Sequence, residues 1–373
     1  MHGSERAGDG ARILVLCAAI GEGHLTVARR LVADLEARRD VGEVALRSDL
    51  EVMGERFGEF MTSGFQIHLE EGRWTYELAY RVFFQRSLPR RAAQRTLAVL
   101  GARGLRRTLG VWRPDVIVTE YPVLSAALGV LRTHGRIDVP VCSSVSDPAG
   151  LYYWAHPGID LHLLSWPEAV AEVDRIAGPG RAAAVKPLID SRFLHAPPRE
   201  VARADLELPS EAPVLVISGG GWGIGDLEGA ARTALEYDPE ARAICLAGRN
   251  EAVRTRLQHA FGAQPRIRIL GFTERMPTLL SAADAIVHTT GGTTALEARA
   301  VGCPLINYGR GIAHVRAHAR ALRDLELAEW APERSALNAA ITRALIQGRR
   351  PPMNVEALPD AAALVAALAA RGG

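Results

Sequence analysis

The sequence predicts an α/β protein built from two doubly wound, Rossmann-like units, and three observations carry this prediction. Short β-branched runs alternate with helical patterns along the whole chain, as in βαβ units with parallel sheets. The 373 residues exceed one ordinary core, and an apolar content of 48% suffices for two. Each half also opens with a strand that runs into glycines, ILVLCAAIGEG and VLVISGGG.

The first half contains five predicted strands, each a short apolar run rich in residues that favour a pleated, buried surface. They are Ile13–Leu16, Val44–Arg47, Val116–Thr119, Val139–Val145 and Leu161–Leu164. A longer segment, from Leu50 to Gly110, interrupts the alternation and is predicted to be irregular and partly helical.

The second half repeats the pattern, with strands at Val214–Ser218, Ala243–Ala247, Ile267–Leu270, Ala285–His288 and Leu305–Asn307. Proline, charge and a loss of periodicity coincide before it. We therefore expect an N-terminal domain over residues 1–190, a linker over 191–212, a C-terminal domain over 213–350 and a tail helix over 351–373.

The charge distribution gives information that the net charge does not. The formal net charge is +2, so overall charge gives no reason to expect nucleic acid as a partner. Between Arg73 and Arg113, however, ten arginines accompany one acidic residue, and aromatic residues crowd the start of the segment. This composition suits docking to an anionic membrane surface. Ordinary solvated helices would also explain it, and the segment has no recognised nucleic-acid-binding motif.

Cysteine usage and the N-terminus indicate the compartment. Cys17, Cys142, Cys245 and Cys303 lie far apart in apolar runs, which predicts buried, reduced thiols. The opening MHGSERAGDGAR lacks the apolar core of a signal peptide, and no apolar run approaches 18 residues. We expect a cytoplasmic protein, either soluble or peripheral on the inner face of the plasma membrane.

Two glycine turns are candidate phosphate sites. The first, GEGH, falls where a dinucleotide-binding fold carries G-x-G-x-x-G, but Thr26 occupies the third position and argues against NAD. The second places Gly219, Gly220 and Gly221 directly after a strand and ahead of a helix. Backbone N–H groups in such a turn approach an anion closely. A tight turn without a ligand is the alternative.

The segment HTTGGTTALE is the more specific signal. A strand ends at His288, glycines form the turn, and Thr293 and Thr294 open a helix whose N-terminus favours an anion. Glu297 lies one turn further along the same helix, within reach of the ribose of the same nucleotide. The segment therefore predicts a nucleotide diphosphate site.

At these residues the sequence resembles GT-B glycosyltransferases. Within them it is most similar to the group of monogalactosyldiacylglycerol synthases, processive diacylglycerol glucosyltransferases and the lipid II N-acetylglucosaminyltransferase. The matching stretches include GGGWGIGDLEGA, LAGRNEAVRTRL, ILGFTERMPTLLSAADAIVHTTGGTTALEARAVGCPLI, IGEGH and VPVCSSVSDP. The resemblance implies two Rossmann-like domains facing a cleft, with the UDP-sugar in the C-terminal domain and the acceptor against the N-terminal one.

The resemblance also implies roles for the matching residues. Phe272 and Met276 correspond to the segment that packs against uracil, and Glu297 corresponds to the ribose ligand. The corresponding diphosphate cradle consists of Gly219, Gly220, Gly221, Gly292, Thr293 and Thr294. Helix dipole and backbone donors can stabilise a departing diphosphate. Because the chain has no Asp-x-Asp triplet, we expect no metal, and no cofactor besides the UDP-sugar co-substrate.

Two residues are candidates for the acceptor side of the reaction. His24 follows the first glycine turn at the start of a helix, and its ordinary pKa suits a general base near neutral pH. Asp147, in SVSDP, could orient His24 or an acceptor hydroxyl. A histidine that caps the loop and a loop-capping aspartate are the structural alternatives.

The chain departs from the group at two places. Val185-Lys186-Pro187 stands where relatives often have Gly-x-Pro before the linker. His314 and His318 stand where relatives carry a polar Gln or Glu and then Asn-Ala, positions that contact the donor sugar. The donor sugar therefore cannot be transferred from the group.

The expected function is inverting transfer of a hexose from a UDP-sugar to a lipid or lipid-linked acceptor. A glycolipid, a cell-wall precursor and a secondary metabolite all remain possible acceptors. One alternative is a UDP-N-acetylglucosamine 2-epimerase, which has this fold and would need acidic groups near the sugar. The other is a non-catalytic GT-B module that binds a nucleotide-sugar, an interpretation favoured by the altered His314 and His318.

Overall fold

A computed structural model describes residues 10–18, 22–48, 52–54 and 73–372. The chain divides into two compact units. Unit 1 comprises Met1–Leu188 and Glu356–Gly373, and unit 2 comprises Ile189–Val355. Each unit is built around one parallel sheet.

Unit 1 contains a six-stranded sheet in the order β2-β1-β3-β4-β5-β6, and every neighbouring pair is parallel. Its inner strands are fully buried, which explains their continuous apolar runs. The strands are β1 (Ala11–Cys17), β2 (Val41–Ser48), β3 (Val116–Glu120), β4 (Val141–Val145), β5 (Leu161–Leu164) and β6 (Ala182–Ala184).

Helices cover both faces of this sheet. Leu14 and Leu16 pack with the helices α3 and α4, whereas Ile13 and Val15 pack with α1 and α14, because successive strand residues point to opposite faces. The helices of unit 1 are α1 (Glu22–Glu36), α2 (Arg73–Ala79), α3 (Ser87–Trp112), α4 (Pro122–Thr133), α5 (Val170–Ala177) and α14 (Ala361–Gly372), with a π-helical turn over Tyr80–Gln85.

Unit 2 contains a second six-stranded parallel sheet, in the order β12-β11-β10-β7-β8-β9. Leu215 and Ile217 form its core with residues of three helices, Leu227–Tyr237, Glu251–Phe261 and Arg334–Gln347. The strands are β7 (Val214–Ser218), β8 (Arg242–Leu246), β9 (Ile267–Leu270), β10 (Ala285–His288), β11 (Leu305–Tyr308) and β12 (Glu329–Ala331).

The helices of unit 2 follow the strands with short connections. Asp226 and Asn250 begin α8 and α9 by accepting hydrogen bonds from backbone N–H groups three residues later, at 2.8 Å and 3.1 Å. The helices are α6 (Ser191–Leu194), α7 (Arg199–Asp205), α8 (Leu227–Tyr237), α9 (Glu251–Phe261), α10 (Met276–Ala282), α11 (Thr293–Val301), α12 (Ala313–Asp324) and α13 (Arg334–Gln347).

The predicted pair of parallel α/β units is confirmed. The segment expected to be a linker, 191–212, contains the helices α6 and α7, and both belong to unit 2. The tail helix α14 belongs to unit 1, where Val365 and Ala369 are buried in the core. Part of the interruption expected over Leu50–Gly110 lies outside the described residues; its described remainder from residue 73 onward is helical.

Among the described helices, none combines the length and the apolarity that crossing a bilayer requires.

Candidate active site

The order of strands reverses at one point in each sheet. In unit 1 the reversal lies between β1 and β3, and in unit 2 it lies between β7 and β10. In open α/β sheets, ligands bind outside the carboxyl ends of the strands at such a point. His24 follows β1, Gly219–Gly221 follow β7, and Thr293 and Thr294 follow β10. The candidate residues therefore lie where the topology favours a ligand.

His24 lies in the first turn of α1, beside the end of β3. Its Nδ1 is 3.6 Å from Oε1 of Glu120. The imidazole meets the ring of Tyr121 edge to face at 5.5 Å between centroids and lies 5.8 Å from the ring of Trp154. The side chain keeps 24% of its surface exposed. Two aromatic rings and one carboxylate thus surround a histidine that solvent still reaches.

Glu120 is a site residue that the sequence reasoning missed. It is the last residue of β3, fully buried, and opposite Cys17 of β1 in the parallel ladder. Its Oε1 accepts a hydrogen bond from Ser146 Oγ at 2.8 Å. An acidic residue at the carboxyl end of a buried strand, as in VIVTE, is the signal that could have revealed it.

The charges in this cluster shift its pKa values. Burial lowers the pKa of His24, but the Glu120 and Asp147 carboxylates outweigh burial and raise it above its ordinary value. Burial raises the pKa of Glu120, while His24, Ser144 and Ser146 act in the opposite direction. The two groups therefore face each other as an ion pair that favours the protonated imidazole.

Asp147 belongs to the same cluster and contacts Trp154, one of its two aromatic rings. Its Oδ2 accepts a hydrogen bond from Trp154 Nε1 at 2.9 Å. The Trp166 indole similarly donates to the backbone carbonyl of Ser146 at 2.8 Å. Asp147 therefore fixes the indole that packs near His24 and acts on His24 through its charge. Gly21, which belongs to the first glycine turn, lies outside the described residues.

The glycine loop after β7 is tightly folded. Gly220 adopts φ +67°, and its backbone carbonyl accepts a hydrogen bond from Gly223 at 3.2 Å. A Cβ on Gly219 would lie 2.6 Å from the backbone of Gly223, so only glycine fits there. The Arg249 backbone N–H donates to the carbonyl of Gly221 at 2.8 Å, which ties the loop to the end of β8.

The loop after β10 lies against this glycine loop. Thr290 Oγ1 would be 3.1 Å from a Cβ on Gly220, and a Cβ on Gly225 would collide with Thr289. Gly292 precedes α11 with φ +94°, and Thr293 and Thr294 are its first two residues. The first backbone N–H groups of a helix have no intrahelical acceptor and attract anions. The predicted diphosphate residues of the two loops are therefore neighbours.

Glu297 lies one turn into α11 and is half-buried. Burial and the nearby Asp190 carboxylate raise its pKa to about 7, against the effect of a hydrogen bond with Thr294. The ionised form of such a carboxyl group accepts hydrogen bonds with both oxygens, whereas the protonated form turns one oxygen into a donor.

An open cavity adjoins the glycine loop at the ends of β8 and β9. It has a volume of about 550 Å³ and is lined in part by Gly248, Arg249, Arg254 and Phe272. The Arg249 guanidinium lies 3.8 Å above the Phe272 ring, which is 54% exposed. A flat cation over an exposed ring forms a surface on which a nucleobase can stack. Met276 is half-buried at the start of α10.

The two departures from the group lie on α12. His314 and His318 meet edge to face at 5.9 Å between ring centroids. A Cβ on Gly291 would lie 3.2 Å from Nδ1 of His318, so His318 borders the turn that precedes α11. Within the described part of the chain, no cluster of three or more His, Cys, Asp or Glu residues could hold a metal ion.

Direct contacts connect several of the predicted residues of unit 2 with their neighbours. Gly220 adjoins Thr290, Gly221 is joined to Arg249 and through it to Phe272, and Gly291 adjoins His318. In unit 1, His24 and Asp147 lie in one cluster, to which the structure adds Glu120.

The chain resembles known proteins both in sequence and in structure. The profile of the family described as "Monogalactosyldiacylglycerol (MGDG) synthase" matches residues 48–178. A probable monogalactosyldiacylglycerol synthase of Glycine max is 25% identical over 250 residues, which cover 61% of this chain and 46% of the relative. A processive diacylglycerol beta-glucosyltransferase of Bacillus pumilus is 22% identical over 302 residues, covering 80% and 77%.

A solved structure has the same architecture. The glycosyltransferase SnogD from Streptomyces nogalater superposes with a TM-score of 0.55 at 15% identity, covering 98% of this chain and 100% of that one. The GT-B fold and the predicted resemblance to the synthase group are confirmed. The chain spans about half the length of the plant synthases that it matches.

Proposed function

We propose that this chain, a GT-B protein that resembles the monogalactosyldiacylglycerol synthase group, is an inverting glycosyltransferase that moves a hexose from a UDP-sugar to a lipid or lipid-linked acceptor. One observation carries the proposal: Thr293, Thr294 and Glu297 begin a single helix after a glycine turn that lies against a second glycine loop. This arrangement would offer donors to a diphosphate and an acceptor to a ribose within the first turns of one helix.

On the donor side, the proposed ligands follow the shape of the nucleotide. The exposed Phe272 ring would pack against uracil, and Glu297 would accept from the ribose hydroxyls. The N-terminus of α11 and the loop of Gly219–Gly221 would stabilise charge on the diphosphate as it leaves. These groups supply that stabilisation in a reaction that we propose to need no metal.

On the acceptor side, His24 is the proposed base. The acceptor oxygen attacks the anomeric carbon as its proton passes to the imidazole, and the bond from carbon to the UDP oxygen breaks. A single displacement of this kind inverts the configuration at the anomeric carbon. The exposure of part of the ring supports access of an acceptor to His24.

We propose that the protein acts at a lipid surface. Trp74, Leu78 and Leu88 are between 54% and 77% exposed, which is unusual for large apolar side chains so close in sequence. Exposed arginines accompany them, namely Arg81, Arg86, Arg91 and Arg95. All four cysteines of the chain are buried reduced thiols, which is typical of the cytoplasm. These features support peripheral binding to the anionic inner face of a membrane.

The test is an acceptor-dependent assay of UDP release. The purified chain is incubated with a panel of UDP-sugars, with and without a lipid extract, and both UDP and sugar products are measured. Acceptor-dependent UDP and a β-linked glycolipid are the expected outcome. A free 2-epimer formed without acceptor would instead identify an epimerase, and UDP-sugar binding without turnover would identify a non-catalytic module.

A further inference from the structure

Glu120 is a fully buried acid that the proposed reaction has not yet used. Its Oε1 accepts from Ser146 Oγ, whereas its Oε2 has no hydrogen-bond partner among the described residues. Among the ion pairs of the described residues, His24 is the one cationic partner of Glu120. Burying a carboxylate opposes folding even when a cation faces it, so its presence at the end of β3 calls for a function.

The geometry distinguishes the two nitrogens of His24. Nδ1 is buried and faces Oε1 of Glu120 at 3.6 Å. The exposed part of the ring therefore lies away from Nδ1. A carboxylate facing Nδ1 favours the tautomer that carries its proton there, which leaves a lone pair on Nε2. Nε2 is then the nitrogen that can take a proton from a substrate.

Two carboxylates act on this ring, and their surroundings differ. Asp147, after β4, is engaged by the indole of Trp154. Glu120, on β3, faces the imidazole through Oε1, and the same oxygen accepts a hydrogen bond from Ser146. Tyr121 and Trp154 also face the ring, and both present aromatic surfaces to it. Glu120 is therefore the carboxylate placed to hold the ring orientation.

We propose that Glu120 is the positioning residue of His24: it holds the imidazole with its proton on Nδ1 and stabilises the imidazolium that forms when Nε2 accepts the proton of the acceptor hydroxyl. The inference rests on the proposed transferase function. The acceptor oxygen forms its bond to the anomeric carbon, and the pair of electrons of the broken bond goes to UDP. Glu120 keeps its negative charge throughout, and the transferred proton later leaves Nε2 for solvent.

The first measurement follows His24 itself and needs no activity. In the full chain labelled with ¹⁵N-histidine, the His24 signals are identified by their loss in His24→Gln and titrated against pH. We expect a pKa above the ordinary value, with Nδ1 protonated in the neutral ring. In Glu120→Gln the pKa of His24 should fall by about one unit or more.

A matched control removes a carboxylate from the same helix. Asp34 pairs with Arg30 on α1, at 2.7 Å, and belongs to a surface pair that does not involve His24. Asp34→Asn should leave the titration of His24 unchanged. Glu120→Asp retains the charge and should keep the pKa of His24 raised, at least in part. If the pKa of His24 fell in Glu120→Gln only because the surrounding structure had loosened, it would fall equally in Glu120→Asp.

The second measurement is the pH dependence of turnover. A base works above its pKa, so the acidic limb of kcat should move to lower pH in Glu120→Gln, while the plateau falls about 100-fold or more. UDP affinity should stay within about twofold of the unaltered protein, because unit 2 holds the proposed donor residues.

Two outcomes would overturn the inference. One is a His24 whose pKa in the unaltered chain lies at or below the ordinary value, a result that no folding defect of a variant can produce. The other is a His24 titration that is the same in Glu120→Gln and Asp34→Asn. Failure of the proposed function is a separate result, since a chain that releases no UDP can still show the pair in the titration.

Discussion

At the scale of single residues, Glu297 has the most unusual property of the donor region. Its carboxyl group titrates near pH 7 because burial and Asp190 both oppose its charge. Hydrogen bonds from ribose hydroxyls are stronger to the ionised group, which accepts with both oxygens, so nucleotide binding and loss of this proton are coupled. The group would therefore change its charge within the physiological range whenever the site fills or empties.

This coupling predicts how UDP affinity depends on pH. Below pH 7 Glu297 is increasingly protonated, so UDP should bind about tenfold more weakly at pH 6 than at pH 8. Calorimetric titration at the two values measures the effect. Because phosphate groups of UDP also titrate, Glu297→Gln is the reference. The UDP affinity of this variant should be lower than that of the unaltered chain and should change less with pH. An equal slope in both proteins would contradict the role of Glu297.

His24 carries the complementary prediction on the acceptor side. His24→Ala should lose turnover by about 100-fold or more, because it removes the proposed base, and should retain UDP binding. The measurement is UDP release under saturating donor, together with calorimetry. Thr26→Ala, two residues along α1 and exposed, is the control that should keep activity. Equal turnover in His24→Ala and this control would disprove the assignment.

The sequence singles out His24 and Asp147 as candidates but not Glu120, the carboxylate that faces His24 at 3.6 Å. His24 follows glycines, and Asp147 follows a strand, so both interrupt a pattern. Glu120 continues the strand pattern of β3, and only the parallel pairing of β1 with β3 brings it beside His24. The partners of a buried side chain depend on strand order, which a single sequence does not state. Arg249, stacked on Phe272, was missed for the same reason.

At the scale of elements, the region from α2 to the start of α3 combines features that rarely occur together on a surface. Trp74 and Leu78 are spaced by four residues on α2 and so share one face of the helix. The neighbouring arginines can approach lipid phosphates while the apolar side chains enter the interface. One short stretch thus provides both contributions to membrane binding, insertion of apolar side chains and attraction of arginines to anionic lipid.

This region predicts binding to vesicles that contain anionic lipid. Replacing Arg86, Arg91 and Arg95 by alanine should weaken binding to anionic vesicles on the order of 100-fold at low salt, since each basic residue contributes about 1 kcal/mol. Trp74→Ala with Leu78→Ser should weaken binding to anionic and neutral vesicles alike. Cosedimentation measures both.

The control for this prediction removes an exposed apolar residue elsewhere. Ile346 on α13 is 79% exposed and lies in unit 2. Ile346→Ser should bind vesicles like the unaltered chain. If the triple arginine variant also binds normally, the arginines merely keep ordinary helices soluble, which is the alternative raised by the sequence.

Ten strands were predicted from the sequence close to where they occur, and two were missed. β6 consists of three alanines and β12 of Glu-Trp-Ala, and both lie at sheet edges. Neither segment has the β-branched residues that favour strands, so pairing with β5 and β11 creates them. The inner strands among those predicted, such as β3, β4 and β7, are buried along their whole length, where an apolar run is required.

At the scale of the whole molecule, both cores enclose histidines that remain neutral. Burial lowers the pKa of His162 in unit 1 and of His288 in unit 2 to about 4. In the unfolded chain these groups take up protons near pH 6.5. The full stability is therefore present above pH 6.5 and is lost as the pH falls toward 4.

Removing one of these histidines should reduce the acid sensitivity. The ring of His162 contacts the carbonyl of Arg181 through Nδ1 at 2.9 Å and accepts from the His156 N–H through Nε2 at 3.2 Å. His162→Gln can replace both bonds without titrating. Its free energy of unfolding should lose about 2 to 3 kcal/mol less than that of the unaltered chain between pH 6.5 and 4.

Denaturant unfolding at several pH values measures this difference. His259→Gln, at an exposed position on α9, should show the same acid sensitivity as the unaltered chain. Parallel curves for His162→Gln and His259→Gln would mean that other groups determine acid unfolding.

The placement of α14 has a consequence for the order in which the protein is made. Residues 361–372 complete the core around β1 and β3, and Lys186 donates its backbone N–H to Pro359 just ahead of them. All of unit 2 lies between these two parts of unit 1. On the ribosome, the sheet that carries His24 and Glu120 is synthesised first but acquires its last layer only after unit 2 has emerged. Unit 1 thus begins to be made before unit 2 but can complete its core only after it.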